Sequence, residues 1–103
     1  MANTFKNYTA SLSDATETTV YTVGAGTTAV IIGCTVANTT TSSLDISVKV
    51  AGTFVIKSAP VPVGSSLSVL DGKIIAEATD TLTVQSSDAS GNVDVIVSVL
   101  EQD

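Results

Sequence analysis

Few side chains in this sequence could carry out catalysis, and their spacing does not bring them together. The chain has no His and a single Cys, and its basic residues are four lysines, Lys6, Lys49, Lys57 and Lys73. A Cys or Ser nucleophile needs a base beside it, and no local motif supplies a Ser–Lys or Cys–His arrangement. Cys34 lies in the most apolar stretch, where Cys usually packs as a small hydrophobic residue. We therefore predict that the chain is not an enzyme, with no catalytic or cofactor-binding residues and no cofactor.

Two acidic segments could in principle bind a cation or transfer protons. Glu77 and Asp80 are close in sequence and follow Asp71, but all three bracket short predicted strands, which favours solvated turns. Segment 88–92 (DASGN) places oxygen ligands near a Gly, yet it lacks the spaced acidic residues and closing Glu of an EF-hand loop. We expect a flexible hairpin loop there and no metal site.

Charge and hydropathy exclude several partner classes. The formal net charge is −6 and the sequence pI is about 4.1, which disfavours nucleic acid and anionic membranes as partners. No apolar run approaches the roughly 18–20 residues that span a bilayer. The first eight residues lack the apolar centre of a signal peptide, so synthesis in the cytoplasm is expected.

Glycan binding remains a second possibility. Sandwich lectins stack sugars on exposed aromatic rings, and this chain has four aromatic residues, Phe5, Tyr8, Tyr21 and Phe54. Segments 7–9 and 38–40 match the glycosylation sequon, but without a secretory signal we interpret both matches as chance.

The elements that would position these residues are strands. Apolar residues recur with a period of two and turn residues arrive every 8–12 residues, a pattern typical of an all-β protein. The predicted strands are 5–12, 18–23, 28–38, 44–50, 53–58, 66–70, 73–76, 81–86 and one starting at 93.

Gly and Pro predict how these strands connect. Ala51-Gly52 and Asp71-Gly72 are expected to close tight hairpins, the second joining 66–70 to 73–76. Two prolines make 59–64 an extended connection that could cross between sheets. Gly33, inside the strongest strand, indicates a bulge or a close backbone approach.

Seven to nine antiparallel strands in about 100 residues predict a β-sandwich, jelly-roll-like, formed by a single domain over 1–103. The immunoglobulin alternative requires a Cys–Trp–Cys arrangement that is absent. The predicted core contains Val30, Ile32, Ile46, Val48, Val95 and Val97.

A low charge content favours an assembled protein. Only 14% of residues are charged, which is low for a soluble monomer, and interfaces are depleted of Lys, Glu and Asp. Thr-rich strands that simply make good β surface are the alternative. Residues 1–12 are a possible N-terminal arm. Its candidate intersubunit residues are Asn3, Thr4, Phe5, Lys6, Asn7 and Tyr8, unless the terminus is merely frayed. The run 5–12 within it is expected to be either this arm or an edge strand.

Several segments resemble small virion structural proteins of tailed bacteriophages. They are 3–9 (NTFKNYT), 18–23 (TTVYTV), 30–38 (VIIGCTVAN), 59–87 (APVPVGSSLSVLDGKIIAEATDTLTVQSS) and 94–101 (DVIVSVLE), which together cover most of the chain. These motifs consist of strands, turns and a Pro-rich connection, so they specify a fold family better than a mechanism.

The resemblance implies a many-copy virion component that is made in the host cytoplasm. It would decorate the capsid or lie at the neck or tail, and no catalytic residue of the family exists to carry over. Its expected partners are the major capsid or neck and tail proteins and other copies of itself, as a homo-oligomer that is a trimer or larger. A glycan- or receptor-binding module on the virion and a small enzyme are the alternatives.

Overall fold

The described part of the chain folds into strands joined by turns and short connections. The computed structural model describes residues 3–69, 73–87 and 93–102. Within them lie β1 (Asn3–Leu12), β2 (Thr18–Thr22), β3 (Thr28–Asn38), β4 (Leu44–Val50), β5 (Thr53–Val61), β6 (Ser66–Ser68), β7 (Ile74–Ala76), β8 (Thr81–Ser86) and β9 (Val93–Gln102). No helix in these ranges is long and apolar enough to cross a membrane.

The strands form two antiparallel sheets. The five-stranded sheet has the order β1-β9-β3-β6, with β7 also paired to β3, and the four-stranded sheet has the order β2-β8-β4-β5. Because β9 occupies one side of β3 along its length, β6 and β7 share the other side as one interrupted strand. Eight strand positions in this order are a jelly roll, which confirms the predicted fold.

The core lies between the sheets and consists mainly of Val, Ile and Leu. Ile46 and Val48 from one sheet and Val95 and Val97 from the other are fully buried, as the alternating pattern predicts. The described residues leave no buried side-chain N or O atom without a hydrogen-bond partner.

The prediction of which β3 residues face the core is partly wrong. Val30 is only half-buried and Ile32 is exposed, whereas Ala29 and Ile31 are buried. The pairing of β3 with β9 shifts between Ile31 and Gly33, so a bulge changes which residues face inward. Gly33 correctly predicts this bulge. Regular alternation along the whole strand, however, gives the wrong inward-facing residues on the N-terminal side of the bulge.

The segment from 66 to 76 is not the predicted hairpin. β6 pairs with residues 35–37 of β3 and β7 pairs with residues 29–31, so the two strands run in line instead of side by side. The predicted turn at Asp71-Gly72 and the loop at 88–92 lie outside the described residues.

The other turns follow the sequence closely. Ala51 and Gly52 have φ values of 53° and 77° and connect β4 to β5, as a type I′ hairpin turn requires. Strand β5 extends beyond its predicted end and includes Pro60, which an edge strand tolerates because only half of its N–H groups face a neighbour. Residues 62–65 then cross to the five-stranded sheet, as expected for a connection between sheets.

Residues 3–12 form strand β1, the edge strand that was one of the two alternatives for this segment. Every residue from Asn3 to Leu12 pairs with β9 in one continuous register. The proposed arm is therefore an edge strand of the sandwich, and its contact with another subunit stays a prediction.

Candidate interaction surfaces

A polar cluster joins the two sheets. Tyr8 from β1 and Tyr21 from β2 both donate hydroxyl hydrogen bonds to Oε2 of Glu101 in β9, over 2.8 Å and 2.7 Å. The two rings also pack against each other, with centroids 4.5 Å apart. Sequence reasoning missed this clasp (Tyr8, Tyr21 and Glu101) because 80 or more residues separate the tyrosines from Glu101.

The clasp keeps both tyrosines protonated. Burial raises the pKa of each phenol, and the hydrogen bond and charge of the Glu101 carboxylate raise it further. Both hydroxyls are therefore permanent donors near neutral pH, which suits a structural contact better than proton transfer.

The Cys34 environment is that of a core residue. The side chain is fully buried on β3 and forms no disulfide. Burial raises the pKa of its thiol to about 11, so the reactive thiolate is scarce at neutral pH.

The acidic turn is closed by its own hydrogen bonds. The Asp80 carboxylate accepts from the backbone N–H of Glu77 over 3.0 Å, and the Asp80 N–H donates back to the Glu77 carbonyl. Among the described residues, no three His, Cys, Asp or Glu side chains come together as a metal site. Asp71 lies outside these residues.

Asn38 is occupied in the fold and unavailable as a glycosylation acceptor. The two N–H groups of its buried side-chain amide are shared among three backbone carbonyls, and its Oδ1 accepts from the N–H and hydroxyl of Thr40. These bonds hold the loop after β3 against the crossing at 61–62. The Asn7 side chain instead lies on the outer surface, where Oδ1 accepts from the Ser98 hydroxyl.

The outer face of the five-stranded sheet carries a transverse apolar row, formed by Phe5, Leu100, Val30 and Ile75. Phe5 pairs with Leu100, Leu100 with Val30, and Val30 with Ile75, so the row crosses β1, β9, β3 and β7. Phe5 is 74% exposed and Ile75 is 65% exposed. This row was not predicted, because it requires the pairing order of four strands.

Two further isoleucines extend the row along the same face. Ile32 on the bulge is 41% exposed and Ile96 on β9 is 49% exposed. A shallow hollow of about 180 Å³ lies between Phe5 and Ile32. We call this outer face of the five-stranded sheet the docking face.

The docking face is also nearly free of charge. Within strands β1, β3, β6, β7 and β9, alternation directs the charged side chain of Asp94 outward, and Lys6 on the edge strand lines the hollow beside Phe5. The four-stranded sheet differs, since Lys49 on its outer side forms an ion pair with Glu17 over 3.3 Å. The two outer surfaces of the sandwich therefore have opposite character.

A polar hollow of about 260 Å³ lies on the four-stranded sheet beside Phe54. Its walls include Asp45, Gln85, Lys57 and several serines. Phe54 is 46% exposed, but the ammonium groups of Lys49 and Lys57 lie over its ring, 4.8 Å and 5.3 Å from the centroid. These cations occupy the ring surface on which a sugar would stack.

No protein-family model matches the chain, and no curated protein is significantly similar to it. The resemblance to virion proteins therefore depends on the sequence motifs alone, and it enters the functional argument as a hypothesis.

Proposed function

We propose that the chain is a non-enzymatic structural component of a bacteriophage virion, present in many copies, which binds other virion proteins through its docking face. The observation that carries this proposal is the apolar row across four strands of a nearly uncharged sheet face. The sequence resemblance supplies the virion context.

The physical argument is the cost of leaving this face in water. Exposed apolar patches of a few hundred Å² or more mark interaction sites on soluble proteins. When a partner covers the exposed surface of a large apolar side chain such as Phe5 or Ile75, the burial contributes about 1–2 kcal/mol to the free energy of binding. Few charges would have to be desolvated with them, which matches the depletion of charge at interface centres.

The chemistry of the described residues supports a non-enzymatic role. Cys34 is buried with a raised thiol pKa, and the clasp tyrosines are held as hydrogen-bond donors. The Glu77–Asp80 pair is used in closing a turn. None of these groups combines a nucleophile with an adjacent base.

The proposed partners are the major capsid protein or the neck and tail proteins, together with further copies of this chain. Repeated docking on a symmetric particle needs a small rigid domain with one dominant contact surface. The sandwich has that form, since one outer face is apolar and the other is polar.

Glycan or receptor binding on the virion is the second candidate, and the hollow beside Phe54 favours it. The hollow combines an exposed ring with a carboxylate, an amide and hydroxyl groups, which are the groups that bind sugars. The two ammonium groups over the ring weaken this candidate, because they compete with sugar stacking.

The test compares one substitution on each face. Ile75→Glu places a charge in the apolar row, at the sheet edge farthest from β1, and Phe54→Glu places the same charge beside the polar hollow. Both side chains are exposed, so both variants should fold and melt like the native chain. Incorporation is measured as the amount of each variant in purified particles relative to the native chain.

We expect Ile75→Glu to lower incorporation at least tenfold and Phe54→Glu to leave it unchanged. Normal incorporation of Ile75→Glu would contradict docking through this face. Normal incorporation of both variants, with loss of attachment to host cells only for Phe54→Glu, would favour the receptor-binding alternative.

A further inference from the structure

The two sheets have four edges, and three of them are protected against pairing. β5 contains Pro60, a residue with positive φ at Ser58, and two register shifts. β2 has five residues and a register shift between Thr19 and Tyr21. The remaining protected edge is the interrupted pair β6 and β7, each three residues long. Short strands, bulges, Pro and charged side chains, especially Lys, are the features that prevent edge-to-edge association.

β1 has one of these protections, the charge of Lys6, and is otherwise long and regular. It runs for ten residues in unbroken register with β9, contains no Pro, and carries one charged side chain, that of Lys6. The side chains from Asn3 to Asn7 are exposed. A long regular edge presents a row of backbone donors and acceptors that pairs readily with another strand.

We infer that β1 pairs antiparallel with β1 of a second copy, forming a two-fold dimer with one continuous sheet and its axis at Asn7. This edge differs from the docking face, so the inference and the proposed function can fail independently. A dimer here could serve as the building unit of a larger homo-oligomer.

The side chains of β1 favour this register. A two-fold axis perpendicular to the sheet places outward-facing side chains of one copy opposite outward-facing side chains of the other. The axis must therefore lie where one residue pairs with the same residue of the second copy, and not midway between two consecutive residues. With the axis at Asn7, residues 3–11 overlap fully, and Phe5 lies opposite Thr9 of the second copy. Aromatic and β-branched residues form favourable cross-strand pairs, and this pair occurs twice.

Charge also fits a second copy. In this register Lys6 lies opposite Tyr8 of the second copy, whose hydroxyl is bonded to Glu101. Each lysine thus faces a tyrosine ring backed by a carboxylate, and the two lysines are not opposite each other.

The register is tested by disulfide cross-linking of the full chain. Asn7→Cys places the two introduced thiols directly opposite each other at the axis, within reach of a disulfide. Thr9→Cys is the matched control, because it lies on the same exposed face but its two thiols would be about 13 Å apart. The native chain, whose thiol is buried, controls for oxidation of Cys34.

We expect mild oxidation to convert most of Asn7→Cys to a covalent dimer and little of Thr9→Cys. Equal cross-linking of the two variants would overturn the register, and no cross-linking of Asn7→Cys would overturn the pairing.

Self-association is tested independently by analytical ultracentrifugation. Asn7→Asp keeps the acceptor for the Ser98 hydroxyl but places two carboxylates together at the axis. We expect its dimer dissociation constant to rise at least tenfold, with partial recovery at high salt, whereas Ser68→Asp at the opposite edge changes it little. A native chain that stays monomeric at all concentrations, or a trimer as its smallest assembled species, would overturn the inference.

Discussion

At the scale of single residues, the most consequential side chains are polar and connect distant parts of the chain. Glu101 accepts hydrogen bonds from tyrosines of both sheets, and Asn38 binds two separate connections. Neither role was predictable, because each depends on contacts between residues far apart in sequence. By contrast, the apolar stretch around Cys34 was enough to predict its burial.

The clasp predicts a loss of stability at alkaline pH. The pKa of each tyrosine is higher in the folded than in the unfolded protein, so above about pH 10 the unfolded state releases protons first. Burial also raises the pKa of the Cys34 thiol to about 11, so the free energy of unfolding should begin to fall above about pH 9, and the tyrosines should steepen this fall above about pH 10. Denaturant unfolding at pH 7 to 11 measures this change.

Tyr21→Phe is the matched variant for this prediction. It should lower the free energy of unfolding by about 1–3 kcal/mol at neutral pH, because it removes a hydrogen bond to a charged group. It should also make the fall in the free energy of unfolding at alkaline pH smaller. An alkaline loss as steep as in the native chain would show that other groups cause it.

Cys34 should react only when the protein unfolds. With a thiol pKa of about 11 and full burial, labelling by a thiol reagent at pH 7 should be limited by the rate of unfolding. Cys34→Ala should keep the fold at a cost of about 1–2 kcal/mol. Rapid labelling of the folded chain would contradict the structural role, as would loss of an enzymatic activity in Cys34→Ala.

At the scale of elements, strand positions followed from the sequence and strand pairing did not. The bounds of β3, β4 and β8 agree with alternation and turn residues alone. The predicted 66–76 hairpin failed because β6 and β7 both pair with β3, a distant strand that local turn chemistry cannot reveal. Gly33 indicated the bulge but not how it shifts the inward residues.

The β4–β5 hairpin can be stabilised by one substitution. Ala51 has a positive φ, which costs energy for a residue with a Cβ, and type I′ turns prefer Asn followed by Gly. Ala51→Asn should raise the free energy of unfolding by about 0.5–1 kcal/mol. Ala78→Asn, in a different exposed turn, is the control. An equal rise in the free energy of unfolding in that variant would show that the effect does not come from the type I′ turn.

The register of β9 is tested by a charge in the core. Val97→Asp would place an unpaired carboxylate between the sheets and should cost several kcal/mol, enough to unfold much of the population. Ile96→Asp, one residue away and facing outward, should melt near the native temperature. A Val97→Asp protein that melts within a few degrees of native would refute this register.

At the scale of the whole molecule, alternation and turn spacing predicted a sandwich but not how its surfaces differ. Low charge and abundant hydroxyl residues pointed to assembly without locating a contact surface. The strand order collects Phe5, Leu100, Val30 and Ile75 into one row, and it leaves β1 as the longest and most regular edge. Phe5, chosen from the sequence as part of an arm, belongs to both surfaces.

The central proposal, a many-copy virion component, is tested most directly by counting the chain in purified particles. The proposal predicts that quantitative mass spectrometry of virions whose genome encodes the chain finds it at a fixed ratio to the major capsid protein. Hundreds of copies would indicate capsid decoration, and about six to twelve would indicate the neck or tail. A chain that is abundant in the infected-cell lysate but absent from washed particles would contradict the proposal.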